Sequence, residues 1–140
     1  MRLRLLARAD LEAVRQLRNQ HREFFFDTRE ITTDQQQAWF EDLGQKPIAF
    51  YVIEQDGRVV GTISVTDGSD GREIGNLVLD PAYRGQGLMR EAVDQLTAAA
   101  ASYFADVKRG NRPSLNVFRS AGFGDESAEE ATIRLRKRVR

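Results

Sequence analysis

The sequence predicts an α/β domain built around one mixed sheet. Three observations carry that prediction. The segment PIAFYVIEQDGRVVGTISVTD reads as two strands joined at Asp56-Gly57, a strong hairpin signal. Segments such as LEAVRQLRNQ repeat apolar residues at helical spacing. Helix and strand patterns then alternate through the second half of the chain. With 140 residues and 41% apolar composition, the chain suits a single domain, 1-140, around one core.

The elements follow in order. LRLL (Leu3–Leu6) is a short strand. Asp10 is placed to cap a helix with Leu11, Val14 and Leu17 on one face. An aromatic patch, HREFFFDTRE, follows; EFFF (Glu23–Phe26) serves either as a wall for a bound molecule or as core. ITTDQQQAWFEDLG reads as a second helix, with Thr33 and Gln36 at capping-box spacing, Gly44 at its end, and Trp39 and Phe40 on its buried face. After the hairpin, DGSDG is a loop and REIGNLVLD a strand. A third helix starts near Gln86, with Met89, Val93, Leu96, Ala100 and Tyr103 along one stripe. FADVK is a short strand, and NRPSLNVFRSAGF a helix with Pro113 in its first turn and Gly122 just beyond its end. ATIRLRKRV alternates, which predicts a strand with Ile133, Leu135 and Val139 inward and arginines outward rather than a nucleic-acid patch.

Composition narrows the function classes. Lys plus Arg and Asp plus Glu both number 21, so no global field draws in nucleic acid or an anionic membrane. No run has transmembrane length, and MRLRLLARAD is too short and too charged for a secretory signal, so we expect a cytoplasmic protein. With no cysteine there is no disulfide, thiolate metal site or cysteine nucleophile, and His21 alone builds no histidine-rich metal site.

The most informative stretch is LVLDPAYRGQGLMREAV, Leu77 to Val93. A strand, a glycine-rich turn and a helix meet there. Helix N-termini present unpaired N–H groups, and glycines let a phosphate approach them. Arg84 adds a forked cation. The seam therefore reads either as a pyrophosphate cradle or as a tight strand-to-helix turn. A dinucleotide fingerprint fits poorly, because Arg90 stands where its third glycine belongs.

YRGQGLM resembles the acyl-CoA loop of the GNAT superfamily of N-acetyltransferases, whose pattern is Arg/Gln-x-x-Gly-x-Gly/Ala. Arg84 and Gly87 match, and Met89 departs from the final small residue. NRPSLNVFRSAGF resembles the family's Asn-x-x-Ser/Ala-x-x-x-Tyr-x-x-x-Gly-Phe segment. Asn111, Ser114, Gly122 and Phe123 match, and Phe118 replaces the usual tyrosine. The front half is similar to a subset that includes sugar-nucleotide and ribosomal-protein alanine acetyltransferases. The resemblance implies a GNAT-like central sheet of about six to seven strands flanked by about four helices. It implies acetyl-CoA as cosubstrate, in a cleft where the fourth and fifth strands splay apart. The pyrophosphate would sit on Gly85, Gln86, Gly87, Leu88 and Met89 beside Arg84. The pantetheine arm would pair with Leu77, Val78 and Leu79 and be flanked by Asn111 and the helix from Ser114 to Phe118. Homodimers are common among such proteins.

An attacking amine of pKa about 10.4 is neutral in only about one molecule in a few thousand at pH 7, so a base is needed. Glu73 is our candidate; it precedes Arg84 by the spacing seen for the glutamate base of histone-acetyltransferase relatives. Asp27, Glu30 and His21, in the loop where such proteins receive the acceptor, are rivals, although His21 reads as a surface residue. Phe118 has no proton for the departing thiolate; Ser114 or Ser120 could substitute. A strand N–H near Leu79 would stabilise the oxyanion, as the family implies. We expect direct acetyl transfer to a primary amine of a small molecule or a protein. The alternative is a GNAT-like module that binds an acyl-CoA or a partner without catalysis.

Overall fold

The computed structural model describes residues 1–140. Its strands are β1 (Arg2–Leu5), β2 (Ile48–Gln55), β3 (Arg58–Gly68), β4 (Gly71–Leu79), β5 (Ala101–Lys108), β6 (Gly124–Ala128) and β7 (Thr132–Val139). The helices are α1 (Leu11–Gln20), α2 (Thr33–Asp42), α3 (Leu88–Leu96) and α4 (Arg112–Ser120). The strands form one sheet in the order β1-β2-β3-β4-β5-β7-β6. All pairs are antiparallel except β4–β5.

The main core lies on the α3/α4 face. Ile53, Ile63, Ile74, Tyr103 and Leu135 pack there against Met89, Ala92 and Val93 of α3 and Leu115 and Phe118 of α4. A smaller cluster on the other face joins Val14 of α1 to Phe50 and Val52, with Trp39 of α2 packed edge-on against Phe50, 5.1 Å between ring centroids. Leu11, Val14 and Leu17 are buried, as the helical spacing requires.

Arg4 fastens α1 to the sheet. Its guanidinium donates to both Asp10 oxygens, at 2.8 and 2.9 Å, and to Glu54 of β2 at 2.8 Å. This pairing holds the Asp10 carboxyl below the usual carboxylate range. Asp10 therefore does not cap α1: its carboxylate accepts the Ala7 N–H at 2.8 Å and makes no cap hydrogen bond to the helix. In α2 the cap is Thr32 with Gln35, one residue before the expected Thr33 with Gln36, and a short 3-10 turn over Leu43–Gln45 replaces a cap at Gly44. Phe40 is half-buried beneath the Arg8 guanidinium rather than in the core.

The Asp56-Gly57 hairpin forms, with φ of 54° and 71°, the left-handed pair its turn type demands. Two expectations fail further on. The third helix ends at Leu96, and Tyr103 lies fully buried on β5, so Ala100 and Tyr103 do not continue its stripe. Sheet pairing with β7 wins the segment from Ala101. An edge strand, β6, has no counterpart in the sequence reading, because Asp125, Glu126 and Ser127 are poor strand formers. On β7 the arginines are not simply turned to water. The Arg134 and Arg136 guanidinium groups lie over Phe104; Arg134 pairs with Asp106 and Asp70, and Arg136, whose side chain is only 7% exposed, pairs with Asp70 and Glu126.

Two irregularities position the cleft. β4 and β5 pair only at Arg72–Tyr103 and Glu73–Phe104, then part. The β3–β4 ladder also slips between Thr62 and Ser64: Thr62 faces Val78, but Ser64 faces Gly75, so β4 carries an extra residue. Asn76 sits in this bulge at φ 55°. Thr62 Oγ1 donates to the Asn76 carbonyl at 2.6 Å, and Asn76 Nδ2 donates to Ser64 Oγ at 2.9 Å. The bulge reverses side-chain parity. Ile74 faces Val65 and Leu79 faces Gly61, so both occupy the α3 face although their numbers differ in parity.

We predict that Asn76→Val, which forces a β-branched residue into left-handed backbone and removes the bond to Ser64, lowers the unfolding free energy by about 2–3 kcal/mol. Asn76→Gly keeps the backbone geometry and should lose only about 1 kcal/mol. Urea denaturation with an unchanged m-value checks both.

Candidate active site

The turn after β4 is shaped by backbone conformation. Asp80 caps a short 3-10 turn at Pro81–Tyr83, accepting the Ala82 N–H at 2.9 Å. Gly85 and Gly87 then take φ of 80° and 74°, where a side chain would be strained. A Cβ at either glycine would meet nothing within 4 Å, so the space above the loop is open. The first hydrogen bond of α3 runs from the Glu91 N–H to the Gly87 carbonyl, at 3.0 Å. Every main-chain N–H from Gly85 to Arg90 lacks an acceptor within the chain. These donors, the positive end of the helix dipole and exposed Arg84 make an anion seat. The Met89 side chain is buried in the main core and leaves the seat clear.

From this seat a cleft of about 240 Å³ runs between the parted strands. It is lined by Leu77, Val78, Leu79, Arg84, Gly85, Gly87, Leu88 and Met89 on one side and by Asn111, Pro113, Ser114 and Val117 on the other. Gln86 is on the exposed loop outside that lining. The Asp80 N–H donates to the Val60 carbonyl at 2.7 Å. By the alternation of an antiparallel ladder, Leu77 and Leu79 turn N–H and C=O toward the gap, whereas Val78 turns its main chain to β3. Leu77 and Leu79, rather than all three residues, offer a free strand edge. Across the gap, Asn111 caps α4 by accepting the Ser114 N–H at 3.3 Å, which leaves its Nδ2 without an acceptor.

A second cavity, of about 310 Å³, lies under the loop after α1. It contains Glu73, Asp106, Asn76, Arg18 and the three phenylalanines Phe24, Phe25 and Phe26. The two cavities share Phe24, Leu77, Asn111 and Ser114, so they meet at that point. None of the phenylalanines is buried in the core, and Phe26 is 62% exposed; EFFF is a cavity wall.

The carboxylates differ sharply. Half-buried Glu73 lies between Thr66 and Phe104 in the sheet, and its carboxylate forms no hydrogen bond or ion pair within the chain. Burial pushes its carboxyl up from 4.5, and neighbouring Asp106 pushes it further, while Arg134 opposes the shift. Asp27 is held in the opposite sense. Its oxygens accept from Arg29 at 3.0 and 2.8 Å, which drives its carboxyl far below the usual range. Glu30 is exposed and paired with Arg22 at 3.4 Å. His21 is not a surface residue: it lines the first cleft, and its Nε2 is buried without a partner. Phe118 is 1% exposed, packed edge-on against Phe123 at 5.0 Å, and borders the second cavity. Ser114 stands where the cavities meet, whereas Ser120 is exposed and donates to the Val117 carbonyl at 2.8 Å, away from both. Sequence reasoning missed Asn76 and Arg18. An asparagine inside a strand-like run was the signal for the first; Arg18 gave none.

A sheet split between its fourth and fifth strands, with main-chain donors at a helix end beside the split, defines an α/β protein with an anion-binding cleft. The chain belongs to the acetyltransferase (GNAT) family: the family's sequence model matches residues 12–123. It is 30% identical over 91 residues to a Bacillus subtilis (strain 168) protein provisionally named a [ribosomal protein bS18]-alanine N-acetyltransferase. That match spans 61% of this chain and 60% of the relative's length. The fold is shared with the ribosomal-protein-alanine N-acetyltransferase of Brucella melitensis (TM-score 0.83, 19% identity, 99% of this chain and 100% of that one). It is shared too with yncA of Salmonella typhimurium, a provisionally named acetyltransferase solved with its cofactor acetyl-CoA (TM-score 0.79, 20% identity, 100% and 94%). No helix is long and apolar enough to cross a membrane.

The Glu73 environment predicts a signature in stability. A carboxyl whose folded pKa is raised disfavours the folded state once ionised, so the penalty grows as pH rises through that pKa. Glu73→Gln should therefore be more stable than the unmodified chain at pH 7, with the gap closing as pH falls below the ordinary glutamate value of 4.5. Thermal unfolding at pH 4 and pH 7 checks this.

Proposed function

We propose that the chain is an acetyl-CoA-dependent N-acetyltransferase acting on a primary amine by direct attack. The observation that carries this reading is the run of unpartnered N–H groups from Gly85 to Arg90, opening onto the gap between β4 and β5. The residues present fit the cosubstrate. Open space above Gly85 and Gly87 admits a diphosphate against the main chain, and Arg84 adds an unpaired cation. Leu77 and Leu79 on one side and Asn111 Nδ2 on the other would hold the amide-bearing arm. When bound, acetyl-CoA supplies an activated acyl thioester.

The remaining work falls to side chains and main chain. The amine enters from the cavity under the aromatic loop. Glu73, without a competing partner, accepts its proton directly or through water. Asp27, committed to Arg29, is the weaker base. The Leu79 N–H, directed to the gap, stabilises oxyanion charge. Phe118 supplies no proton. The hydroxyl of Ser114, where the cavities meet, serves the departing thiolate, and a thiol of pKa about 8.5 leaves tolerably as the anion without it. Glu73's free carboxylate at the amine side favours catalysis over a silent binding module.

Acetyl-CoA should raise the melting temperature, with about 2.7 kcal/mol of stabilisation at a hundredfold excess over Kd. Gly87→Val, which strains the loop and fills the seat, should abolish that rise. With acetyl-CoA and an amine panel, thiol should be released. Glu73→Gln should slow release by about 10²- to 10⁴-fold, and the limb of kcat/KM that rises with pH above 4.5 should vanish in that variant. A thermal response with no thiol release from any amine would leave only the binding-module reading.

A further inference from the structure

The chain has two buried side-chain nitrogens without a hydrogen-bond partner, Arg18 Nη1 and His21 Nε2. Both lie at the C-terminal end of α1, and both residues line the cavities of the candidate site. Buried donors are almost always satisfied, so an orphaned pair beside a cavity marks a place where a ligand atom completes the set.

Arg18 is the more telling. It lines the cavity that holds Glu73 and also a third one, of about 410 Å³, between α1, α2 and the sheet. Arg15, Arg18 and Arg29 are the cations around these two spaces. Arg15 is paired with Glu12 at 2.6 Å and Arg29 with Asp27 at 2.8 Å. Arg18 has no carboxylate partner: Nη2 donates to the Asp27 carbonyl at 3.0 Å, and the Phe25 ring covers the guanidinium face at 4.1 Å. The Asp27 carboxylate, itself bound to Arg29, acts on Arg18 only through space, so this desolvated guanidinium keeps one neutral hydrogen-bond acceptor and is a site for an anion. Beyond it, Val14, Ile31, Trp39, Ile48 and Phe50 give the third cavity an apolar wall.

We propose that Arg18 reads a carboxylate on the acceptor, so that the acceptor is an amino acid with an apolar body rather than a simple amine. Its amine reaches Glu73, its carboxylate meets the Arg18 guanidinium, and its side chain enters the space beside Trp39. The Phe25 ring on the guanidinium face belongs to residues 25–31, which form neither helix nor strand. The assignment rests on the acetyl-transfer reading above.

The test compares L-phenylalanine with L-phenylalaninamide as acceptors, following thiol release from acetyl-CoA. The amide loses its ammonium proton more readily, so intrinsic reactivity favours it; a preference for the acid must come from the protein. We expect kcat/KM for the acid to exceed that for the amide by roughly tenfold to a hundredfold, the worth of one charged hydrogen-bonded pair. Arg18→Gln should reduce that ratio to one or below, mainly through the KM for the acid, and Arg18→Lys should restore part of it. A structural defect would lower both rates together and leave the ratio in place. The melting rise with acetyl-CoA, measured on each variant, reports that its fold and donor site are intact. A ratio of one or less in the unmodified chain, or an unchanged ratio in Arg18→Gln, overturns the Arg18 assignment while leaving acetyl transfer standing. Absence of both thiol release and the melting rise overturns acetyl transfer, and this assignment with it.

Discussion

After Glu73, β4 leaves β5, and one edge of β4 is left without a strand beside it. An open edge inside a sheet is a cost that proteins accept only where water or a ligand completes its hydrogen bonds. The rest of the molecule is arranged around that gap. The bulge at Asn76 brings Leu77 and Leu79 to the α3 face and their main-chain groups to the open edge. The left-handed glycines then turn the chain so that α3 starts with its N–H groups facing the mouth of the same gap. Asn111 and Ser114 close the opposite wall. No single side chain makes the cleft; it follows from where the ladder stops.

The two sides of the cleft are built from different materials. On the donor side most of the functional atoms are amides of the main chain, joined by the Arg84 and Asn111 side chains. On the acceptor side they are side chains: Glu73, Arg18 and the phenylalanines of the loop after α1. Lys108 ties that loop to β5, donating to the Glu23 carbonyl at 3.0 Å, so the aromatic wall is anchored at one end. The carboxylates of this region are sorted by their partners. Asp106 and Asp27 are each held by an arginine, and Glu73 stays free to change its protonation state.

Much of this was legible in the sequence where a residue has one structural use. Asp56-Gly57 allows little but a hairpin, and Gly85 with Gly87 before an apolar helical stripe allows little but a turn onto a helix end. Pro113 and Gly122 bracket α4 for the same kind of reason. Legibility failed where tertiary pairing decides. Alanine-rich chain after Leu96 has helical propensity, yet its continuation pairs with β7 along its full length. β6 is an edge strand of polar residues, held by its neighbour rather than by its own pattern. The run of phenylalanines reads as a wall or as core, since pattern alone does not say what an apolar side chain faces; in the fold they line cavities. Thr32 and Thr33 are chemically alike, so only backbone geometry tells which one caps α2. Glu73 could be singled out by position, but its lack of a direct ion pair is a property of the folded packing.

The division of labour between backbone and side chain also bears on how such a chain changes over generations. A seat made of peptide amides survives almost any substitution that keeps its two glycines, since altered side chains leave the amides where they are. The opposite wall consists of a few side chains, several on a segment without regular structure, where each exchange reshapes the space. Acceptor preference can therefore drift in descendants of this sequence while the donor stays constant.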